Sequence, residues 1–494
     1  MSGTFVVVGG DAAGMSAASK AKRDDPSLDV IVFEKGEWVS YGACGMPYYV
    51  EGTVDELEDL VSVTAEEAVE ERGLDLRRWH EVTAVDTDRN VVRVRNADGT
   101  FEQPYDDLLL STGAAPTPPP VEGVDLDCVF TLSSLDDADA IREAVEADGV
   151  TEDVVGASEG EVVEFLDERD PRTVAVVGGG YIGLEMADVL RSRGARVHLF
   201  QRSSHVLSAY DEGIAEVVED HLREEGVELH LDAGVERIDG DGAGDADAVV
   251  AGDGRTEVDM VILGTGVRPR TELAEDAGIE IGETGAIATD EFHRTSDPDV
   301  YAAGDCAEVR NVVTGEVDYV PLALTANRHG RAVGRTVAGN PTRGGPVTRT
   351  AITKVVDLEV ARTGITDLEE ARGYGFDPVS RTISSRSRSG YYPGAAPITV
   401  RLVGCRSTGR LLGASVVGTD RAGKRIDTVV AALHENATVA NLERYDLAYA
   451  PPFSPVWDPV LTAAKVLNGA IEAPDEPDVT LGPETAPGPE SEAE

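Results

Sequence analysis

Val174-Ala175-Val176-Val177-Gly178-Gly179-Gly180-Tyr181-Ile182-Gly183-Leu184-Glu185 is the stretch on which the fold turns. Four apolar residues suited to a buried parallel strand run into a three-glycine turn, and a small apolar helix opens at once. This is a complete G-x-G-x-x-G in strand-turn-helix context, where helix amides and the positive dipole end hold a pyrophosphate. Gly178, Gly180, Tyr181, Ile182 and Gly183 are the expected contacts. The following strand, Arg196-Val197-His198-Leu199-Phe200, ends in Gln201-Arg202, where an acid would take a ribose 2'-hydroxyl. Without that acid, and with a guanidinium beside it, the site suits a 2'-phosphate, hence NADPH. Gly183 is the form common at NADH sites and leaves NADH open.

A second copy stands at the start of the chain: Val6-Val7-Val8-Gly9-Gly10-Asp11-Ala12-Ala13-Gly14. Gly9, Gly10, Ala13 and Gly14 are its expected contacts, and Asp11 replaces the middle glycine. Glu34 closes the strand Asp29–Phe33, 20 residues past Gly14, where its carboxylate would take ribose hydroxyls. Two such loops predict two bound dinucleotides. Asp107–Leu110 is a further buried-strand pattern that runs on to Ser111-Thr112-Gly113. Asp299–Ala303 is another and ends in Gly304-Asp305, whose Asp would bond a ribityl hydroxyl.

Between the loops lies Ser40-Tyr41-Gly42-Ala43-Cys44-Gly45-Met46-Pro47-Tyr48-Tyr49. Free cysteines are most often buried fillers. Here a glycine follows directly and the segment is too irregular for a core strand, so Cys44 reads as a redox sulfur set against a flavin. Cys44, Cys128, Cys306 and Cys405 are the 4 cysteines, and none forms a Cys-x-x-Cys pair. Neither a disulfide framework nor a metal site is expected, and a reducing, cytoplasmic compartment fits.

A chain of 494 residues makes about three domains at ~150 residues each. Its 92 acidic against 43 basic residues leave a net charge of -49, spread along the chain and with few lysines. That pattern suits a halophile, because the Debye length falls to about 3 Å at 1 M salt and screens self-repulsion. The same charge argues against nucleic acid and anionic membranes as partners. The chain enters a strand at Thr4, so no signal peptide is expected, and no apolar run approaches the ~20 residues that span a bilayer.

These segments, with Tyr391-Tyr392-Pro393-Gly394 and Tyr449-Ala450-Pro451-Pro452-Phe453-Ser454-Pro455-Val456-Trp457-Asp458-Pro459, resemble the FAD-dependent pyridine nucleotide-disulfide oxidoreductases. The likeness is to their single-cysteine branch, which contains coenzyme A disulfide reductase. Glutathione-reductase-like members carry a second cysteine where this chain has Tyr49. The resemblance implies an α/β fold of two Rossmann-like dinucleotide-binding domains plus a C-terminal α+β dimerisation domain, assembled as a homodimer. Residues 1–120 and 275–345 would bind FAD, 121–274 NAD(P)H with an acidic insertion near 152–170, and 346–470 would form the dimer. Residues 471–494 would be a disordered tail. Ser40, Thr112, Gly113, Gly266, Ala323 and Thr325 join the expected cofactor contacts.

The implied chemistry passes hydride from NADPH to FAD and electrons on to Cys44, which alternates between a mixed disulfide with coenzyme A and a thiolate. The thiolate is the nucleophile, so a lowered pKa is expected, supplied by a helix starting at or after Cys44. Tyr449 and one of Tyr391 or Tyr392, reaching over from the partner subunit as in similar proteins, would hydrogen-bond the leaving sulfur. Lys20, Lys22, Arg23 and Arg72 fall where similar proteins hold the nucleotide end of coenzyme A. Two departures stand out. Ala43 replaces an Asn common before the cysteine, and Ala12 replaces the His that handles peroxide protons in NADH oxidases and peroxidases. The latter lowers the oxidase reading; persulfide or polysulfide reduction stays open, as does a noncatalytic redox-gated flavoprotein.

Overall fold

Two copies of one β-α-β design organise the larger part of the protein. The computed structural model describes residues 3–146 and 172–471; the expected insertion at 152–170 and the tail beyond 471 lie outside the described residues. Residues up to Ala361 form one compact unit and those from Arg362 another.

In the first unit the chain runs through β1 (Thr4–Val8), α1 (Ala12–Asp24), β2 (Asp29–Phe33), the short helix α2 (Met46–Glu51), β3 (Asp75–Arg77) and β4 (Asp107–Leu110). It continues with β5 (Val129–Phe130) and α3 (Leu135–Glu146), then β6 (Thr173–Val177), α4 (Tyr181–Ser192), β7 (Arg196–Phe200), β8 (Glu228–His230) and β9 (Met260–Leu263). β10 (Val300–Ala302) and α5 (Ala323–Val337) follow. One parallel sheet has the order β10-β4-β1-β2-β3 and the other β8-β7-β6-β9-β5. Each is centred on the strand that feeds a glycine loop, with registers Val6↔Ile31 and Val6↔Leu108 matched by Val176↔Leu199 and Val176↔Ile262. Phe5, Val6 and Val7 are fully buried, as are Val174, Ala175 and Val176. Strands covered on both faces need this unbroken apolar pattern.

The loops themselves follow from glycine. Gly9 and Gly178 adopt φ of 103° and 110°, which side-chain-bearing residues rarely adopt. Their amides donate to Phe33 O (2.9 Å) and Phe200 O (2.8 Å), pinning each turn to the neighbouring strand. A Cβ on Gly14 would lie 1.9 Å from Gly9 O, and one on Gly183 would lie 1.8 Å from Gly178 O. The third glycine of each fingerprint therefore lets the helix cross its own loop. Helix α5 packs on α1 through the same device, since a Cβ on Gly330 would meet Ala13 O at 2.1 Å and one on Gly334 would meet Ala17 O at 2.3 Å.

Two of the buried histidines of this unit pack against each other. His293 and His329 are 5% and 2% exposed, with ring centroids 4.3 Å apart. His329 Nε2 sits 3.1 Å from Gly345 O, while neither ring nitrogen of His293 has a hydrogen-bond partner among the described residues. Burial pushes their pKa values down to about 3 and about 4.

The second unit is built on an antiparallel sheet of β11 (Leu358–Gly364), β12 (Pro378–Arg386), β13 (Pro397–Cys405) and β14 (Leu411–Gly418), in the order β11-β14-β13-β12. Val400 pairs with Ile383 on one side and Val416 on the other. Helices α6 (Ile426–His434) and α7 (Pro459–Asn468) cover it, and α7 opens with Pro459 after Asp458, whose side chain accepts from Val460 N.

Close packing makes Gly334→Ala costly: overpacking at this crossing should destabilise by about 1–3 kcal/mol. Gly213→Ala, in the exposed helix Glu212–Glu224, should be neutral or stabilise by up to ~1 kcal/mol. Thermal melts of the two variants followed by circular dichroism separate these outcomes. The buried histidines add a pH dependence. An unfolded chain takes up protons below about 6.5 while the folded rings do not, so their contribution is present above that pH and is lost as pH falls toward 4 and 3. Histidine ring NMR should show both rings neutral at pH 5, and a titration midpoint near 6.5 for either would contradict this.

Candidate active site

The end of each central strand carries its loop, and a polar side chain from the next strand ties that loop down. Glu34 accepts from Gly10 N through Oε2 and from Gly36 N through Oε1, both at 2.8 Å. Gln201 Oε1 accepts from Gly179 N at 2.9 Å, and its Nε2 donates to Ser203 Oγ (2.5 Å) and His205 O (3.3 Å). The residue expected to read ribose thus first anchors the turn in both copies, and a carboxylate keeps lone pairs for a further partner. Arg202 is exposed and makes no hydrogen bond or ion pair among the described residues.

Asp11 takes in the first loop the N-cap place that Gly180 takes in the second. Its Oδ1 accepts from Tyr41 N at 3.1 Å, and Ser40, at φ 49°, donates its N–H to Gly10 O at 2.9 Å. These two bonds fasten the cysteine segment to the phosphate loop. Burial, with the charges of Glu34 and Asp305, raises Asp11 to about 6.

Cys44 lies exposed in a 3-10 turn, Ala43–Gly45, that leads into α2. Its thiol is held above its ordinary value, by partial desolvation first and then by the charges of Glu185, Asp305 and Asp11. The expected lowering by a helix terminus is therefore corrected. The amides of Gly45 and Met46 are spent on Gly42 O (2.7 Å) and Ala43 O, and three carboxylates outweigh the rest. These charges come from three elements: Asp11 on the first loop, Asp305 at the end of β10 and Glu185 in the first turns of α4. Glu185 Oε1 also accepts from Thr353 Oγ1 at 2.8 Å, and burial raises its pKa.

Other expected contacts gather around these groups. Gly304, φ 85°, would set a Cβ 3.0 Å from Ala13 Cβ, and burial lifts Asp305 to about 6. Thr112 Oγ1 donates to Arg270 O (2.7 Å), whose own N–H donates to Gly113 O (3.0 Å). Gly266 O accepts from Thr117 N (2.9 Å). Ala323 opens α5, with Thr325 buried two residues on. Tyr181 OH donates to Tyr210 OH at 3.3 Å, and Ile182 is exposed. A Cβ on Gly180 would meet nothing within 4 Å, so the approach to the N-terminal amides of α4 is open for a pyrophosphate. The residues present fit FAD at the first loop and a nicotinamide dinucleotide at the second.

A brace missed in the sequence holds α2. Tyr49 OH donates to Asp139 Oδ1 (2.7 Å), Arg142 stacks over the Tyr49 ring at 4.5 Å, and Arg142 Nη1 donates to Asp55 O (2.9 Å). Partners some ninety residues apart leave no local signal. Lys20, Lys22 and Arg72 are engaged by Asp24, Leu28 O and Glu67. In the second unit, Tyr449 hydrogen-bonds Tyr391 and Ser389, and the Tyr391 contact raises its pKa; Tyr392 lies under Arg388 at 5.9 Å. Tyr391, not Tyr392, is thus the partner of Tyr449.

Comparison with known proteins agrees with this site. Residues 3–330 match the family model described as pyridine nucleotide-disulphide oxidoreductase, and 350–459 match the dimerisation domain of that family. The chain is 42% identical to a Pyrococcus abyssi protein named NAD(P)H sulfur oxidoreductase (CoA-dependent), over 94% of this chain and 98% of that one. It is 30% identical to a Staphylococcus aureus coenzyme A disulfide reductase, over 91% and 96% of the two chains. The NADPH-bound structure of a water-forming NADPH oxidase engineered from a Lactobacillus brevis NADH oxidase superposes with a TM-score of 0.86 at 26% identity, covering 95% of this chain and 99% of that one. Both the resemblance and the expected fold class are borne out. The chain belongs to the pyridine nucleotide-disulphide oxidoreductase family and is a flavoenzyme that carries electrons from NAD(P)H through FAD to a sulfur acceptor.

Proposed function

We propose that this protein is an NADPH-dependent reductase of coenzyme A disulfide, working as a cytoplasmic homodimer with Cys44 as its single redox sulfur. The observation that carries the reading is the position of Cys44 within the fields of Asp11, Asp305 and Glu185 at once. A thiol there is set beside the first loop, from which flavin would hand on its electrons. Tyr49 fills the place of a second cysteine and is committed to Asp139, so the disulfide partner comes from outside this segment, and a small molecule is the proposed one. No helix among the described residues is long and apolar enough to cross a membrane. Phe453, Val456 and Trp457 are exposed apolar groups in the second unit, suited to a dimer face beside Tyr391 and Tyr449.

FAD, when bound, supplies the two-electron relay between nicotinamide and sulfur. The Cys44 thiolate attacks one sulfur of the coenzyme A disulfide, a Cys44–coenzyme A disulfide forms, and one coenzyme A leaves as thiolate. Two electrons from NADPH then cleave that mixed disulfide, releasing the second coenzyme A and restoring the thiolate; with one proton taken up, NADPH and disulfide give NADP and two thiols. The carboxylates around Cys44 disfavour a free thiolate, so they favour the mixed disulfide at rest. Tyr449, with Tyr391 behind it, is the proposed donor to the leaving sulfur of the other subunit in the dimer. A second reading, reduction of coenzyme A persulfide or sulfur, is favoured by the name of the Pyrococcus abyssi relative and uses the same thiol.

Arg202 supports NADPH, being exposed and uncommitted at the end of β7. In the engineered NADPH oxidase, three consecutive residues, Asp-Ala-Met, are replaced by Ala-Arg-Ser, and a glycine eighteen positions earlier by Ala. Here Gln201-Arg202-Ser203 stands eighteen positions after Gly183, with the same Arg-Ser pair.

Three outcomes follow. Cys44→Ser keeps its flavin and its reduction by NADPH but loses turnover of coenzyme A disulfide by about three orders of magnitude or more, an alkoxide being a poor substitute; undiminished turnover would make the sulfur structural, and turnover on persulfide alone in the wild type would select the second reading. Removing a nearby negative charge eases ionisation, so Asp11→Asn and Glu185→Gln should each lower the Cys44 pKa, read from the pH dependence of alkylation of the Cys44 peptide by mass spectrometry. Arg202→Ala should cost about 1.5–3 kcal/mol, a roughly ten- to hundredfold rise in KM for NADPH, with NADH kinetics nearly unchanged. Equal losses for both nucleotides would remove the role of Arg202.

A further inference from the structure

Cysteine spacing gave no reason to expect a metal, but the histidines at the edge of the second sheet do. Strands β7 and β8 pair in parallel with His198 opposite Glu228 and Phe200 opposite His230. The two-residue period of strands puts all four side chains on one face, and β8 is the edge strand. There His198 Nδ1 lies 3.0 Å from His230 Nε2 and 3.5 Å from Glu228 Oε2. One ligand atom from each of the three residues lies within 4.8 Å of the others. Zinc bonds of about 2.0–2.2 Å in a tetrahedron set neighbouring ligand atoms roughly 3.3–3.5 Å apart, close to these spacings.

The surroundings also suit ligation. A histidine ligates through the lone pair of a ring nitrogen, and the Nδ1 of His198 and the Nε2 of His230 face each other here. The Phe200 ring stacks on His230 at 4.3 Å and 7°, fixing the plane of that ligand. His198 is buried, while Glu228 is exposed enough to swing inward. Two lone pairs cannot face each other at 3.0 Å, so one hydrogen now lies between the rings. An ion entering there would take a lone pair from each ring, and that hydrogen would move to an outer ring nitrogen.

We propose that His198, His230 and Glu228 form a Zn²⁺ site with a fourth position open to water, which clips the edge strand β8 to β7. Gln201 N–H donates to His230 O at 2.8 Å, so the strand end carrying Gln201 and Arg202 is anchored to one of the ligands.

The test is a Zn²⁺ titration of the chelator-stripped holoenzyme by calorimetry, in excess Mg²⁺ to fill non-specific acidic sites, with Co²⁺ as the optical probe. One Zn²⁺ per chain is expected, and Co²⁺ should give the strong visible bands of four-coordination. His230→Phe preserves the ring stack and should weaken Zn²⁺ binding by about a hundredfold or more, at least the upper end of what outer-shell losses produce. Glu228→Gln, at an exposed position, should weaken it with the fold intact. Both variants retain Cys44, so an ion held by that thiol would persist in them. Unchanged stoichiometry and affinity in the two variants, or no Zn²⁺ retained against Mg²⁺ by the wild type, would overturn the proposal and leave a hydrogen-bonded histidine pair.

Discussion

Everything in the first unit hangs on two contacts that leave no room for a side chain: the α-carbon of Gly14 against Gly9 O, and that of Gly183 against Gly178 O. Because each helix passes this close to its own loop, its N-terminal amides face the end of the central strand, where a pyrophosphate can lie. The neighbouring strand then closes the turn through Phe33 O or Phe200 O and through the side chain of Glu34 or Gln201. One difference separates the copies. The first has Asp11 at its N-cap and uses it to hold Tyr41, whereas the second has Gly180 and stays open.

That difference sets the chemistry at Cys44. The bonds from Ser40 and Tyr41 to the first loop fasten the cysteine segment beside that loop. They also bring Asp11 near the sulfur, where it joins Asp305 and Glu185 in opposing a thiolate. Each of these carboxylates is itself raised by burial, so the cluster resists accumulating charge. A sulfur in such a field is better kept in a disulfide than as a free anion, which accords with a resting mixed disulfide and with a thiolate that forms only on reduction.

What was legible in the sequence was local. Strand, turn and helix around each loop, Glu34 and Gln201 at their strand ends, and the isolation of Cys44 are all encoded within thirty or so residues, and the structure keeps them together. The direction of the Cys44 shift was not legible, because Glu185 and Asp305 lie more than a hundred residues away in sequence. Neither was the Tyr49 brace to Asp139 and Arg142, nor the pairing of Tyr391 rather than Tyr392 with Tyr449. The histidine pair on β7 and β8 has no signal along the chain for a related reason: strand register, not sequence spacing, brings His198, Glu228 and His230 together across the sheet.

The central claim is that electrons leaving the flavin reach a sulfur on Cys44 that is bonded to coenzyme A. Anaerobic titration of the purified protein with NADPH, followed by acid quench and analysis of free thiols, tests it most directly. Release of one coenzyme A per chain, in step with uptake of two electrons beyond those that reduce FAD, is the expected result. Full reduction of the flavin with no thiol released, and with Cys44 already free at the start, would contradict it.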